Sequence, residues 1–215
     1  GVGPEIIVKF FDGIYKVEDK RLFLVVVGSK SVLEYYKKKL RIDLEIVEIT
    51  KAHIVDGKLE NGKLHLINID TDIDKLEFGK HTELGGALSI KYLDKAIELC
   101  HGKYVDGIVT CPISKDSINM AGFKYSGHTE YLAEKSKTED FAMVLKGKKV
   151  VVLLNSTHVS LKEAINRVTK ESVLNKIRLA QKAKKELGLT GSIAVAGLNP
   201  HNGENGLFGT EEIEI

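Results

Sequence analysis

The chain has 215 residues, 43% of them hydrophobic, which suffices for one good core or two small ones. Lys and Arg number 32 against 30 Asp and Glu, leaving +2, and the basic clusters Lys37-Lys38-Lys39 and Lys182-Ala183-Lys184-Lys185 fall on helix-like stretches with acids nearby, which argues for solvated faces and against nucleic acid. No apolar run is long enough to span a membrane and no stretch reads as a signal peptide; Cys100 and Cys111 show no metal-binding spacing, so a reducing, cytoplasmic setting is expected.

In chain order, Gly1-Val2-Gly3-Pro4-Glu5 reads as a glycine loop feeding a helix, with Pro4 near its first position and Ile6, Ile7, Phe10 and Phe11 on one face. Without a preceding strand it does not amount to a dinucleotide fingerprint. Residues 22–27 form a continuous apolar run ending at Gly28, the pattern of a buried parallel strand, and residues 31–40 then take helical spacing. Residues 44–49 and 64–69 alternate, separated by the turn dipeptides Asp56-Gly57 and Asn61-Gly62, which predicts strands, some antiparallel or at an edge. A helix is expected over 84–100, with Ile90, Leu93, Ile97 and Cys100 on one stripe. Residues 105–110 read as the next strand, leading into Cys111-Pro112-Ile113-Ser114-Lys115. Lys115 is either a strand-end cation for a phosphate or carboxylate, or an exposed lysine opening a short helix that ends at Gly122.

Gly127-His128-Thr129-Glu130 lies between a loop and a helical segment through Tyr131, Leu132 and Ala133. Two readings stay open: Thr129 is only an N-cap, or the helix start presents unpaired amides to an anion beside an imidazole and a hydroxyl. Residues 141–145 and 149–154 read as a hairpin joined by Lys146-Gly147-Lys148, and the second run ends in Asn155-Ser156-Thr157-His158. Ser160 and Glu163 have capping-box spacing before a helix over 161–168. A longer helix, 171–187, ends at Gly188. Residues 192–196 are the last expected strand, running into Gly197-Leu198-Asn199-Pro200-His201-Asn202-Gly203-Glu204, and Gly209-Thr210-Glu211-Glu212 reads as a helix start. The bare glycine loop at one end and the helix start at the other suggest a piece clipped at both ends.

The alternation of β and α segments argues for an α/β fold with a mostly parallel sheet and some antiparallel strands. Ligands in such folds bind beyond the carboxyl ends of the strands, where the segments holding Lys115, His158 and His201 fall. Two imidazoles suit zinc, cobalt, manganese or nickel, but a catalytic zinc takes three protein ligands. The third would come from His128, from further sequence or from a partner chain; equally, each histidine hydrogen-bonds only its own loop. His53, His65, His81 and His101 have no nameable partner.

Five motifs in order, Gly1-Val2-Gly3-Pro4-Glu5-Ile6, Thr110-Cys111-Pro112-Ile113-Ser114-Lys115, Gly127-His128-Thr129-Glu130, Thr157-His158, and Asn199-Pro200-His201-Asn202-Gly203-Glu204 with Gly209-Thr210-Glu211-Glu212, resemble the 4-hydroxythreonine-4-phosphate dehydrogenase (PdxA) family over the whole length. The resemblance implies a two-domain α/β/α fold like that of isocitrate and isopropylmalate dehydrogenases, which we place at residues 1–127 and 128–215. It implies a homodimer with its active site near the interface, acting on a small phosphorylated hydroxy acid with NAD and a divalent metal, which would be zinc, manganese, cobalt or magnesium. His128 and Thr129 would contact the substrate, while His158 and His201 would bind the metal with a third histidine beyond Ile215, so the resemblance keeps His128 off the metal. The implied reaction oxidises 4-phosphohydroxy-L-threonine and decarboxylates it to 3-amino-2-oxopropyl phosphate in vitamin B6 biosynthesis. D-threonate or D-erythronate 4-phosphate is the alternative substrate, and a non-catalytic phosphate-ligand or metal-binding module is the alternative of another class. Two positions depart from the family pattern: Ser160 stands where proline is common, and Asn202 where alanine is usual.

Overall fold

The computed structural model describes residues 1–13, 22–60, 62–125 and 127–215; Asn61 of the expected Asn61-Gly62 turn lies outside the described residues. The chain divides into two compact units, Gly1–Lys137 and Thr138–Ile215.

In the first unit, helix α1 (Gly3–Gly13) precedes strand β1 (Val25–Gly28), helix α2 (Lys30–Leu40), strand β2 (Ile46–Glu48), the short helix α3 (Lys51–Val55) and strand β3 (Leu64–Asn68). The sheet has order β1-β3-β2, and both pairings are parallel, with Val26 opposite Leu66 and Val47 opposite His65. Residues 44–49 and 64–69 were expected to include antiparallel or edge strands. Strand β2 is at an edge, yet it runs parallel to β3 because α3 carries the chain back before β3 begins. That helix opens where Thr50 N–H donates to His53 Nδ1, so this histidine, without a nameable partner in the sequence, serves the local cap.

Alternation along the strands builds a core on each face of the sheet. Val26, Leu64 and Leu66 pack with Val8 and Phe11 of α1 and Val32, Leu33 and Tyr36 of α2. Val25, Val27 and Ile67 point the other way and pack with Leu99, which lies on helix α4 (Glu83–His101). After a short 3₁₀ turn (Ile73–Lys75), α4 also carries the third core. There Ile90, Leu93 and Ile97 meet Ile118 of helix α5 (Lys115–Met120) and Tyr131 of helix α6 (His128–Lys135). Because Tyr131 is buried in that core, α6 goes with the first unit. The division therefore follows Lys137 rather than Gly127, where the sequence placed it.

The second unit opens with the expected hairpin, β4 (Val144–Lys146) antiparallel to β5 (Val151–Leu153), closed where Gly147 N–H donates to the Val150 carbonyl at 2.9 Å. Helices α7 (Leu161–Asn166) and α8 (Lys170–Glu186) follow, then a 3₁₀ segment (Pro200–Gly206) and α9 (Glu211–Glu214). Ser160 caps α7 as expected by accepting from Glu163 N–H, but the Glu163 carboxylate accepts from Arg167 Nε at 2.8 Å.

Two expected strands, 105–110 and 192–196, have no ladder among the described residues. A strand exists only when a second segment pairs with it, and Val109 stands 92% exposed. Among the described residues, no helix is long and apolar enough to cross a membrane.

Candidate functional site

In the first unit, α4 packs against α5 and α6, each of which begins at a sequence motif. The Gly1-Val2-Gly3 loop lies against the segment before α5. A side-chain carbon on Gly3 would come within 3.0 Å of Cys111 Cβ, and the Cys111 thiol contacts the Gly3 carbonyl at 3.8 Å. Burial raises the Cys111 thiol above the ordinary value, which keeps it protonated.

The starts of α4 and α5 are laced together. Thr82 accepts from Gly85 N–H, Ser114 accepts from Ser117 N–H at 3.2 Å, and Thr82 N–H donates to the Ser117 hydroxyl at 3.3 Å. His81, passed over in the sequence, sets Nδ1 at 2.7 Å from Ser114 Oγ. Lys115 begins α5 and is exposed, which is the plainer of its two readings.

Helix α6 starts at His128, and its N-cap is Gly127, not Thr129, so the cap position itself carries no side chain. The first-turn amides and the positive helix end favour negative charge, and Glu130 places a carboxylate in that same turn. His128 and Thr129 are both half-buried, and burial lowers the His128 imidazole below the usual histidine value. Near pH 7 it is therefore neutral, offering one N–H and one lone pair.

The second unit holds the other two candidates. His158 follows β5 and is exposed, and its backbone lies in the left-handed region at φ 56°. His201 does the same at φ 53° and opens a run of left-handed residues through Asn205. Non-glycine residues rarely adopt this conformation, and where they do so in clusters a site is a common cause.

The His201 loop is held from one side by α9. Asn199 N–H donates to Glu212 Oε1 at 2.6 Å, and its side-chain amide donates to Glu211 Oε2 at 2.6 Å and Glu212 Oε2 at 2.9 Å. These bonds hold the Glu212 carboxyl below its ordinary range. Gly209 is needed here: at φ 145°, an added side-chain carbon would lie 2.5 Å from Asn199 Nδ2. Thus Glu211 and Glu212, read in the sequence only as a helix start, organise the loop that carries His201.

Among the described residues, no group of three or more His, Cys, Asp or Glu side chains is arranged to hold a metal. His158 and His201 each offer an imidazole nitrogen, a donor that suits a borderline divalent metal.

The model of the family described as pyridoxal phosphate biosynthetic protein PdxA matches residues 20–215. A Fusobacterium nucleatum protein provisionally named D-threonate 4-phosphate dehydrogenase is 41% identical over 215 residues, covering all of this chain and 64% of that protein. The 4-hydroxythreonine-4-phosphate dehydrogenase of a Sulfurihydrogenibium species is 40% identical over 217 residues, covering all of this chain and 65% of its own length. The crystal structure of 4-hydroxythreonine-4-phosphate dehydrogenase from Klebsiella pneumoniae superposes with a TM-score of 0.88 at 32% identity, covering all of this chain and 64% of that one. The chain thus spans just under two thirds of the length of these relatives.

Proposed function

We propose, because the chain belongs to the PdxA family, that it is part of an NAD-dependent, divalent-metal-dependent dehydrogenase acting on a small phosphorylated hydroxy acid. The substrate assigned is 4-phosphohydroxy-L-threonine, the acid that the names of its Sulfurihydrogenibium and Klebsiella relatives point to. In the overall reaction the carbinol hydrogen leaves with its electron pair to NAD and the hydroxyl proton is lost. The resulting β-keto acid then releases carbon dioxide, giving 3-amino-2-oxopropyl phosphate. The working protein is a homodimer with its active site near the interface.

The observation that carries this reading is the start of α6. A helix end with glycine at the cap position, flanked by the neutral imidazole of His128 and the hydroxyl of Thr129, suits an anionic group. His128 and Thr129 bind and orient the substrate. His158 and His201 are two of the ligands of the divalent cation, which supplies Lewis-acid polarisation of the substrate hydroxyl oxygen when bound.

A second reading has its own support. The Fusobacterium relative, at 41% identity, carries the name of a D-threonate 4-phosphate enzyme, so D-threonate or D-erythronate 4-phosphate is the competing substrate. NADH formation by the full-length protein, with divalent metal and each of the three acids, tests both. Turnover of 4-phosphohydroxy-L-threonine above the others is expected. Preference for either sugar-acid phosphate overturns the substrate, and no NADH from any of them, with metal bound, leaves the non-catalytic module.

A further inference from the structure

We propose that Asp94 and Tyr131 are positioning residues for substrate binding: they fix the rotation and depth of α6, and so the place of His128 and Thr129. The proposal rests on the reading of His128 and Thr129 as substrate contacts.

Helix α6 has eight residues and glycine at its cap position. Two turns of helix are not stable by their own hydrogen bonds, so tertiary contacts must hold it in place. Tyr131 is its one fully buried residue, 1% exposed. The ring packs with Ile90, Leu93 and Ile97 of α4 and with Ile118 of α5, and Tyr125 meets it edge-on, with ring centroids 4.9 Å apart.

Apolar packing sets the depth of a ring but lets it slide and turn; a directed hydrogen bond does not. The Tyr131 hydroxyl donates to Asp94 Oδ1 on α4, and burial with this carboxylate beside it raises the phenol well above its ordinary value, keeping it a donor. Lys135, one turn further along α6, brings its ammonium to 3.8 Å from Asp94 and 5.2 Å from the Tyr131 ring. Asp94 therefore fastens α6 at two successive turns to a helix of 19 residues.

His128 lies three positions before Tyr131, one turn away on nearly the same face. Whatever turns Tyr131 about the helix axis turns the imidazole with it. Misplacing a binding group by about 1 Å can cost on the order of 100-fold in rate. A role in holding the clamp in register separates Asp94 and Tyr131 from residues that only fill the core.

The test uses the full-length protein with Tyr131→Phe, Asp94→Ala, Asp94→Asn and His128→Ala. Readouts are the Kd of the phosphorylated acid by calorimetry, KM for that acid and for NAD, and kcat. Tyr131→Phe keeps the ring and the core, so it folds. It is expected to raise Kd and KM for the acid by about tenfold, with kcat and KM for NAD within about twofold, the pattern of lost binding rather than lost chemistry. Asp94→Ala should match it, and Asp94→Asn, whose amide oxygen still accepts from the phenol, should recover most of the affinity. A lowered melting temperature with Kd for the acid unchanged in Tyr131→Phe would reduce the pair to a structural role and overturn the proposal. If His128→Ala weakens the acid while Tyr131→Phe does not, the proposal alone falls. If His128→Ala leaves the acid's Kd unchanged, the reading of His128 falls and the proposal with it.

Discussion

A side-chain carbon on Gly86 would sit 1.9 Å from the carbonyl oxygen of Ser117, so α4 and α5 meet backbone to backbone. No rotamer relieves a clash with a carbonyl. Ser117 is also the residue whose hydroxyl accepts from Thr82 N–H, so this contact sets both helix starts.

Gly86→Ala must push α5 away from α4 and open the core around Ile118. Overpacking of this kind costs about 1–3 kcal/mol and occasionally more. Urea unfolding should place the variant at least that far below the parent protein. Gly107→Ala, where an added carbon meets nothing within 4 Å, should stay close to it.

The Glu212 carboxyl is held low chiefly by the hydrogen bond from the Asn199 backbone N–H. A depressed folded value means that the unfolded chain binds the proton more readily. The contribution is therefore present above the ordinary value of 4.5 and is lost as pH falls through the lower folded value. Comparing the parent protein with Glu212→Gln by unfolding across that range, the stability gap should be widest near neutrality and shrink on acidification. A gap that widened in acid would contradict the sign.

For His128 the physical cause is desolvation, which disfavours the imidazolium in the folded state. The folded value lies below 6.5, so the unfolded state binds the extra proton first, and acidification from neutrality down to the folded value costs stability. An NMR titration should find the His128 ring resonances moving at lower pH than those of an exposed histidine, and His128→Asn should remove that part of the acid sensitivity.

The division of labour among the three histidines is open to direct measurement in the full-length protein. His158→Ala or His201→Ala should weaken bound divalent metal by more than about 100-fold, beyond the roughly 10–100-fold that loss of a mere supporting hydrogen bond produces. His128→Ala should spare the metal and weaken the phosphorylated acid. Elemental analysis and calorimetry on the same preparations decide it, and equal metal loss in all three would move His128 onto the metal.

Most helices were legible in the sequence because their signals are local. The apolar stripe of α4, the cap at Ser160, and the turn between Lys146 and Lys148 all lie within a few residues of the structure they specify. The short helix α3 escaped because Asp56-Gly57 reads as a turn, and with it went the parallel direction of β2 and β3. Thr129 was weighed as a cap because threonine caps well in general; which residue leaves the helix first depends on how α6 enters the core.

By itself, then, the sequence determined the α/β class, most of the helices and the candidate residues at His128, Thr129, His158 and His201, since periodicity and motif spacing are written along the chain. Tertiary structure alone decided that residues 105–110 and 192–196 lack ladders here, because a strand is a relation between two segments. It also decided that Asp94 fastens Tyr131 and that Glu211 and Glu212 hold Asn199. In Tyr131 and Asp94 the partners lie 37 residues apart, and hydrogen bonds across such separations depend on a distance in space that no local pattern encodes.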